Sequence, residues 1–208
     1  IQKGISVKAI IDNREEVDSK LVDEVEKNNI KIFKGFTVTD TSGYKRINNV
    51  SIMQLSKDGQ KVVGSKINLT CDCLGVSGGW TPAVHLFTQS GGKLKFSDED
   101  QVFIPNIYPS DQLSIGACKG DLTLDSIFTN TPNSLKEFLD IKNTEYENIE
   151  ILSSTNKSKR NIWLLPSDKV LGKTKSFVDF QNDATAKDIK LALREGFRSI
   201  EHVKRYTT

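Results

Sequence analysis

The chain has 208 residues, with 29 Lys and Arg against 27 Asp and Glu, a net charge of +2 and 37% hydrophobic residues. That length suffices for one large or two small domains around a sizeable core. The near-balanced charge gives no electrostatic case for nucleic acid or an anionic membrane surface, and no apolar run reaches the roughly 18–20 residues of a membrane span.

The opening Ile1-Gln-Lys-Gly-Ile-Ser6 has neither an initiator Met nor a leader pattern and reads as a start in mid-structure. Three cysteines, Cys71, Cys73 and Cys118, are an odd number without framework spacing, which points to a reducing compartment, the cytoplasm. Cys71-x-Cys73 has no second pair and only His85 and His202 to help it, so no metal site is expected where structural zinc needs four ligands. The two thiols read as small side chains on one face of a strand.

In chain order, Val7-Lys-Ala-Ile-Ile11 is a short apolar strand ending in Asp12-Asn13-Arg14. Val17, Leu21, Val22 and Val25 recur at helical spacing, and Ile30-Lys-Ile-Phe33 is a second strand. This βαβ order favours a parallel sheet covered by helices. An acidic residue at the carboxyl end of such a strand either holds a ribose hydroxyl pair, as dinucleotide folds do, or caps the following helix; both readings apply to Asp12. Arg14 beside it could meet a phosphate. The glycine-rich turn expected before this strand is not in the sequence.

Phe36–Thr39, Tyr44–Leu55 and Lys61–Val63 alternate as strands, with Ser42-Gly43 and Asp58-Gly59 as turns, a β-meander inserted between parallel strands. The stretch Lys66–Ser77 contains the strand that should rejoin the parallel sheet. It leads into Ser77-Gly78-Gly79, Trp80 and Pro82, then the helix-like Ala83–Phe87. Adjacent glycines permit positive φ and a close backbone approach, and Pro82 suits a first helical turn. Strand, glycine turn and helix start together offer free N–H groups to a phosphate.

After Gly91-Gly92 come the strands Lys93–Phe96, Val102–Ile104 and Leu113–Ile115, then Gly116-Ala117-Cys-Lys-Gly120-Asp121 and helical spacing through Leu122, Leu124, Ile127 and Phe128. Residues from about Thr129 to Lys175 read as a connector: a loop at Asn130–Ser134, a short helix with Leu135, Phe138 and Leu139, a polar loop at Ser153–Arg160, and a buried Asn161–Pro166. Finally, Thr185-Ala-Lys-Asp188 is a capping box before Ile189, Ala192 and Leu193, with Gly196 as the stop. Ser199 caps a second helix with Ile200 and Val203 inward. The fold class is therefore α/β: a Rossmann-type parallel sheet with an inserted meander, plus a small C-terminal helical module.

Two stretches carry a family resemblance. Cys71-Asp-Cys-Leu-Gly-Val-Ser-Gly-Gly-Trp-Thr-Pro82 with Val84-His-Leu86, and Phe177–Ile189 continuing through Arg194–Thr208, resemble the alpha subunit of heterotetrameric sarcosine oxidase. The resemblance implies a disulfide-reductase-like dinucleotide region at 1–130, a connector at 131–175 and, at 176–208, part of a helical module similar to small ferredoxins. It casts the chain as a fragment at both ends.

The resemblance assigns cofactor contact to Ser77, Gly78, Gly79, Gly116 and Ala117, and adds weight to Asp12. It implies NAD for this subunit, FAD and FMN in the whole complex, and tetrahydrofolate in a C-terminal half, with beta, gamma and delta subunits as partners and no nucleic acid or membrane. The implied reaction is oxidative demethylation of sarcosine to glycine with hydrogen peroxide, and its catalytic residues would lie outside residues 1–208. Aligned on Asn182–Thr185, the positions matching a ferredoxin's first cysteine pair hold Asp179 and Gln181, which cannot ligate an iron–sulfur cluster as thiolates do. Two other readings stay open: the alpha subunit of a flavin-dependent amine or proline dehydrogenase, and a non-catalytic subunit-docking scaffold.

Overall fold

The computed structural model describes residues 4–109, 111–141 and 161–208. The expected loop at Ser153–Arg160 lies outside them. Among the described residues the chain divides into two compact units, one holding residues up to Gly75 together with those from 161 onward, the other beginning at Val76.

The first unit opens with β1 (Ala9–Asp12), α1 (Ser19–Lys27) and β2 (Lys31–Lys34). β1 and β2 pair parallel, with Asp12 opposite Lys34, so the expected βαβ crossover is present. Helix α1 starts where Asp18 accepts from the Lys20 N–H at 2.9 Å, satisfying one of the free donors of the first turn. The cap is therefore Asp18, and the reading of Asp12 as the helix cap is corrected. Val22 faces the core, whereas Leu21, expected inward, is exposed.

Three antiparallel strands follow: β3 (Phe36–Gly43), β4 (Ile47–Leu55) and β5 (Val62–Thr70), in the order β3-β4-β5. The Asp58-Gly59 turn is present, with Gly59 at φ 71° and the Asp58 carboxylate accepting from the Gln60 N–H. Ser42 and Gly43 instead end β3, and the turn falls on Tyr44–Arg46. A further correction concerns β5: it joins the two expected segments into one strand, pairs antiparallel with β4 (Leu69 opposite Val50) and ends at Thr70 rather than rejoining β1 and β2. Cys71 and Cys73 consequently lie beyond the strand; Cys71 packs on the core while Cys73 is exposed.

The core of this unit is Phe33, Val50 and Ile52, with Ala9, Ile11, Phe36, Val38, Ile67, Leu69 and Leu74 packed against it. It ties the parallel pair to the meander. Phe33 and Phe36 meet edge to face at 5.4 Å, a favoured aromatic geometry.

The second unit contains α2 (His85–Gln89), the hairpin β6 (Lys93–Ser97) and β7 (Val102–Ile107), a short 3-10 turn at Gly116–Cys118, and α3 (Leu124–Phe138). Pro82 lies three residues before α2 instead of in its first turn, and Leu113–Ile115 forms no strand among the described residues. Helix α3 runs continuously through Asn130–Ser134, which the sequence marks as a loop. Pro132 lies inside the helix, where it has no N–H to donate to the turn before it. The neighbouring Asn133 side chain donates to the Thr129 carbonyl at 3.1 Å, and a Thr123/Ser126 capping box anchors the start. The helical spacing read through Leu122, Leu124, Ile127 and Phe128 falls on α3 from Leu124 onward, and no residue of that helix is buried.

The first unit closes with β8 (Phe177–Asp179), β9 (Ala184–Thr185), α4 (Ala186–Arg194) and α5 (Ile200–Thr207). The capping box is present: Asp188 N–H donates to Thr185 Oγ1, and Thr185 N–H donates to Asp188 Oδ2 at 2.9 Å. Gly196 at φ 96° ends α4, with Phe197 N–H donating to the Ala192 carbonyl and Gly196 N–H to that of Leu193, a Schellman motif. Ala192 and Val203 are buried between the helices, while Leu193 and Ile200 are exposed. Ser199 stands at the start of α5 but accepts no capping bond. Trp163, Leu164 and Leu165, expected buried, are exposed.

Candidate functional site

The carboxyl end of β1 carries a closely hydrogen-bonded carboxylate–guanidinium pair, Asp12 and Arg14. β1 delivers Asp12 to the edge of the parallel pair, and the chain then turns so that Arg14 folds back on it. Asp12 Oδ1 accepts from the Arg14 backbone N–H at 2.9 Å and from Nε at 3.0 Å, and Oδ2 accepts from Nη2 at 2.7 Å. The Arg14 carbonyl in turn accepts from the Gly35 N–H at 2.9 Å, which ties the exit of β1 to the exit of β2. A fork-to-fork arginine–carboxylate pair is directional and stronger than a neutral hydrogen bond.

Partial burial pushes the Asp12 carboxyl up, and the Arg14 hydrogen bonds and charge outweigh that push, so it sits below the ordinary aspartate value. The contribution of this pair to stability is therefore complete above the ordinary value and fades as pH falls through the lower folded one. Replacing Arg14 with Met removes the side-chain hydrogen bonds and the charge but keeps the burial and the main-chain N–H bond. An NMR titration of Asp12 should find a higher pKa in Arg14→Met than in the unsubstituted chain; an unchanged pKa would show that the Arg14 side chain does not set this carboxylate.

Asp12 can still accept from a hydroxyl at Oδ2, which takes one donor where a carboxylate oxygen offers two lone-pair directions. Arg14, read from sequence as a phosphate contact, is instead committed to Asp12. The signal that could have revealed this is the i, i+2 spacing at a strand end, where a carboxylate closes an Asx-type turn on the following N–H.

The remaining candidates lie in the second unit. Ser77, Gly78 and Gly79 are exposed and outside regular structure. Of the two glycines only Gly79, at φ 107°, adopts the left-handed conformation. An added Cβ at Gly78 or Gly79 meets nothing within 4 Å, so the chain's own packing does not require glycine at 78. The helix that follows has five residues and begins at His85. Gly116, at φ 64°, opens a tight turn in which its carbonyl accepts from the N–H groups of Lys119 at 2.9 Å and Asp121 at 3.2 Å, with Ala117 exposed at the turn. The Asp121 carboxylate accepts from Asn130 Nδ2 at 2.7 Å, which holds that turn to α3. Among the described residues no group of three or more His, Cys, Asp or Glu is placed to hold a metal ion, and no helix is long and apolar enough to cross a membrane.

A parallel βαβ crossover whose first strand ends on a carboxylate, followed by an antiparallel meander, defines a mixed α/β protein. Comparison with known proteins gives the particular relationship. The chain is 28% identical to the sarcosine oxidase subunit alpha of Corynebacterium sp. (strain U-96) over 97% of its own length and 21% of that protein's. It is 29% identical to that of Corynebacterium sp. (strain P-1) over 97% of this chain and 21% of the relative, and 28% identical to that of Rhizobium meliloti (strain 1021) over 99% and 20%. Residues 173–208 match the Sarcosine oxidase A3 domain family. The chain is thus similar along nearly all its length to the alpha subunit of sarcosine oxidase, and it spans about a fifth of the length of these curated relatives.

Among solved structures it is similar to T. acidophilum thioredoxin reductase (18% identity, TM-score 0.35, 60% of this chain and 44% of that one). It is also similar to L-proline dehydrogenase from P. horikoshii (15% identity, TM-score 0.46, 96% of this chain and 40% of that one).

Proposed function

We propose that this chain serves as part of an alpha subunit of a sarcosine oxidase-type flavoenzyme, where it binds or scaffolds NAD and docks partner subunits. The observation that carries this reading is the alignment of 97% of the chain with sarcosine oxidase alpha subunits. The assembled enzyme, with beta, gamma and delta subunits in the cytoplasm, would convert sarcosine and oxygen to glycine and hydrogen peroxide and pass the one-carbon unit to tetrahydrofolate. In that complex FAD and FMN supply the hydride-accepting chemistry.

The roles for this chain's residues are binding roles. Asp12 accepts a ribose hydroxyl at Oδ2 while Arg14 keeps the carboxylate ionised and oriented. Ser77, Gly78 and Gly79, and separately Gly116 and Ala117, present main chain to phosphate oxygens, where a side chain at 78 or 79 would intrude on the ligand rather than on the protein. Residues 1–130 then act as the dinucleotide region, 131–175 as connector and 176–208 as a cysteine-free ferredoxin-like module.

Calorimetric titration of the purified chain with NAD and with FAD tests this. Saturable binding near micromolar, about −8 kcal/mol, supports the cofactor reading. Gly78→Ala should then weaken binding about tenfold or more with an unchanged melting temperature, since the added methyl meets no protein atom. Absence of saturable binding below about millimolar would leave the chain as a docking scaffold.

A further inference from the structure

The Pro166-Ser-Asp-Lys169 stretch, which leads into the C-terminal module, lies on the meander through three polar contacts. Ser167 Oγ donates to the Thr39 carbonyl at 3.3 Å and accepts from the Lys169 N–H at 3.1 Å. Lys169 Nζ donates to Asp40 Oδ2. Lys66 Nζ pairs with Asp168 Oδ2 at 2.7 Å. Asp40 belongs to β3 and Lys66 to β5, so two neighbouring residues of the connector grip opposite edges of the same three-stranded sheet. Every charged group of the cluster is between 31% and 37% exposed, shielded enough for the attraction to count and open enough for salt to reach it.

The signs alternate: an acid on β3 takes the connector's base, and a base on β5 takes its acid. A slip of the connector by one residue would set Asp168 against Asp40 or Lys169 against Lys66. The arrangement therefore selects one register and repels its neighbours, as charge patterns do in specific interfaces. Thr39, whose carbonyl receives Ser167, is itself buried, so the connector lies on a closed part of the sheet. Beyond Val170 the chain turns, with Lys173 N–H donating to the Val170 carbonyl at 3.0 Å, and enters the module that starts at β8.

We propose that Ser167–Lys169 is an electrostatic clasp that fixes the connector of the C-terminal module on the meander and releases it when its charges are screened. The clasp does not depend on the cofactor reading. Hydrogen exchange of the 208-residue chain tests it. Raising salt from about 0.05 M to about 1 M, which shortens the screening length to a few ångström, should speed exchange across residues 162–172 about fivefold while β4 keeps its protection. Lys66→Met and Asp168→Asn should each produce the same local acceleration at low salt, and the double variant should exceed neither. Exchange of 162–172 that ignores salt overturns the clasp, as does acceleration shared equally by β4. Additive effects of the two substitutions overturn the pairing. The salt experiment needs no variant, so a misfolded substitution leaves the proposal exposed to refutation.

Discussion

Ile52→Ala is expected to destabilise the chain by about 2–5 kcal/mol, the range for removing a buried isoleucine side chain. Ile52 is fully buried in β4, where its cross-strand neighbours are Val38 on β3 and Ile67 on β5, and it shares the core with Phe33 and Val50. Truncation deletes its transfer free energy and leaves a cavity between the parallel pair and the meander, and paired strands cannot close in on it without losing register. Urea unfolding should show a lower midpoint with an unchanged slope. The exposed Leu193→Ala should shift stability by no more than about 0.5 kcal/mol under the same conditions. A loss below about 1 kcal/mol for Ile52→Ala would mean that the first unit is not organised on Phe33, Val50 and Ile52.

Gly92→Ala should destabilise the second unit by about 1–3 kcal/mol, the range for overpacking. The added Cβ would stand 2.4 Å from Phe87 Cζ and within 2.7 Å of both flanking ring carbons. That ring cannot simply swing away. Phe87 is buried, meets Tyr108 edge to face at 5.0 Å, and its carbonyl accepts from the Gly92 N–H. The glycine is therefore demanded by close packing rather than by a left-handed backbone, which belongs to Gly91 at φ 93°. Phe87→Leu alone should also destabilise, and the pair Gly92→Ala/Phe87→Leu should cost less than the sum of the singles, because the smaller side chain vacates the contested space. Strict additivity in thermal unfolding would refute the clash.

These two residues differ in how far the sequence announces them. Ile52 sits in a run of alternating apolar residues, Val50, Ile52 and the residues paired to them, so its inward side follows from period two and from the Asp58-Gly59 turn that folds β5 back. Gly92 reads from sequence as a turn residue like its neighbour. Its Phe87 contact appears only when α2 closes on β6. Asp12 is intermediate: its place at the end of a βαβ strand was legible, while its engagement with Arg14 was not, because two equally local bonds, a helix cap and an Asx-type turn, competed for the same carboxylate.

The elements that sequence alone determined are those whose causes lie within about four residues: the crossover β1–α1–β2, the Asp58-Gly59 hairpin, the Thr185/Asp188 capping box and the Gly196 stop. Tertiary structure decided the rest. It paired β5 with β4 instead of β1, left Trp163 exposed, and set Asp168 and Lys169 against Lys66 and Asp40. Propensity and capping are read from neighbouring residues, whereas strand partners, burial and ion pairs spanning about a hundred residues depend on which surfaces meet after the chain has folded.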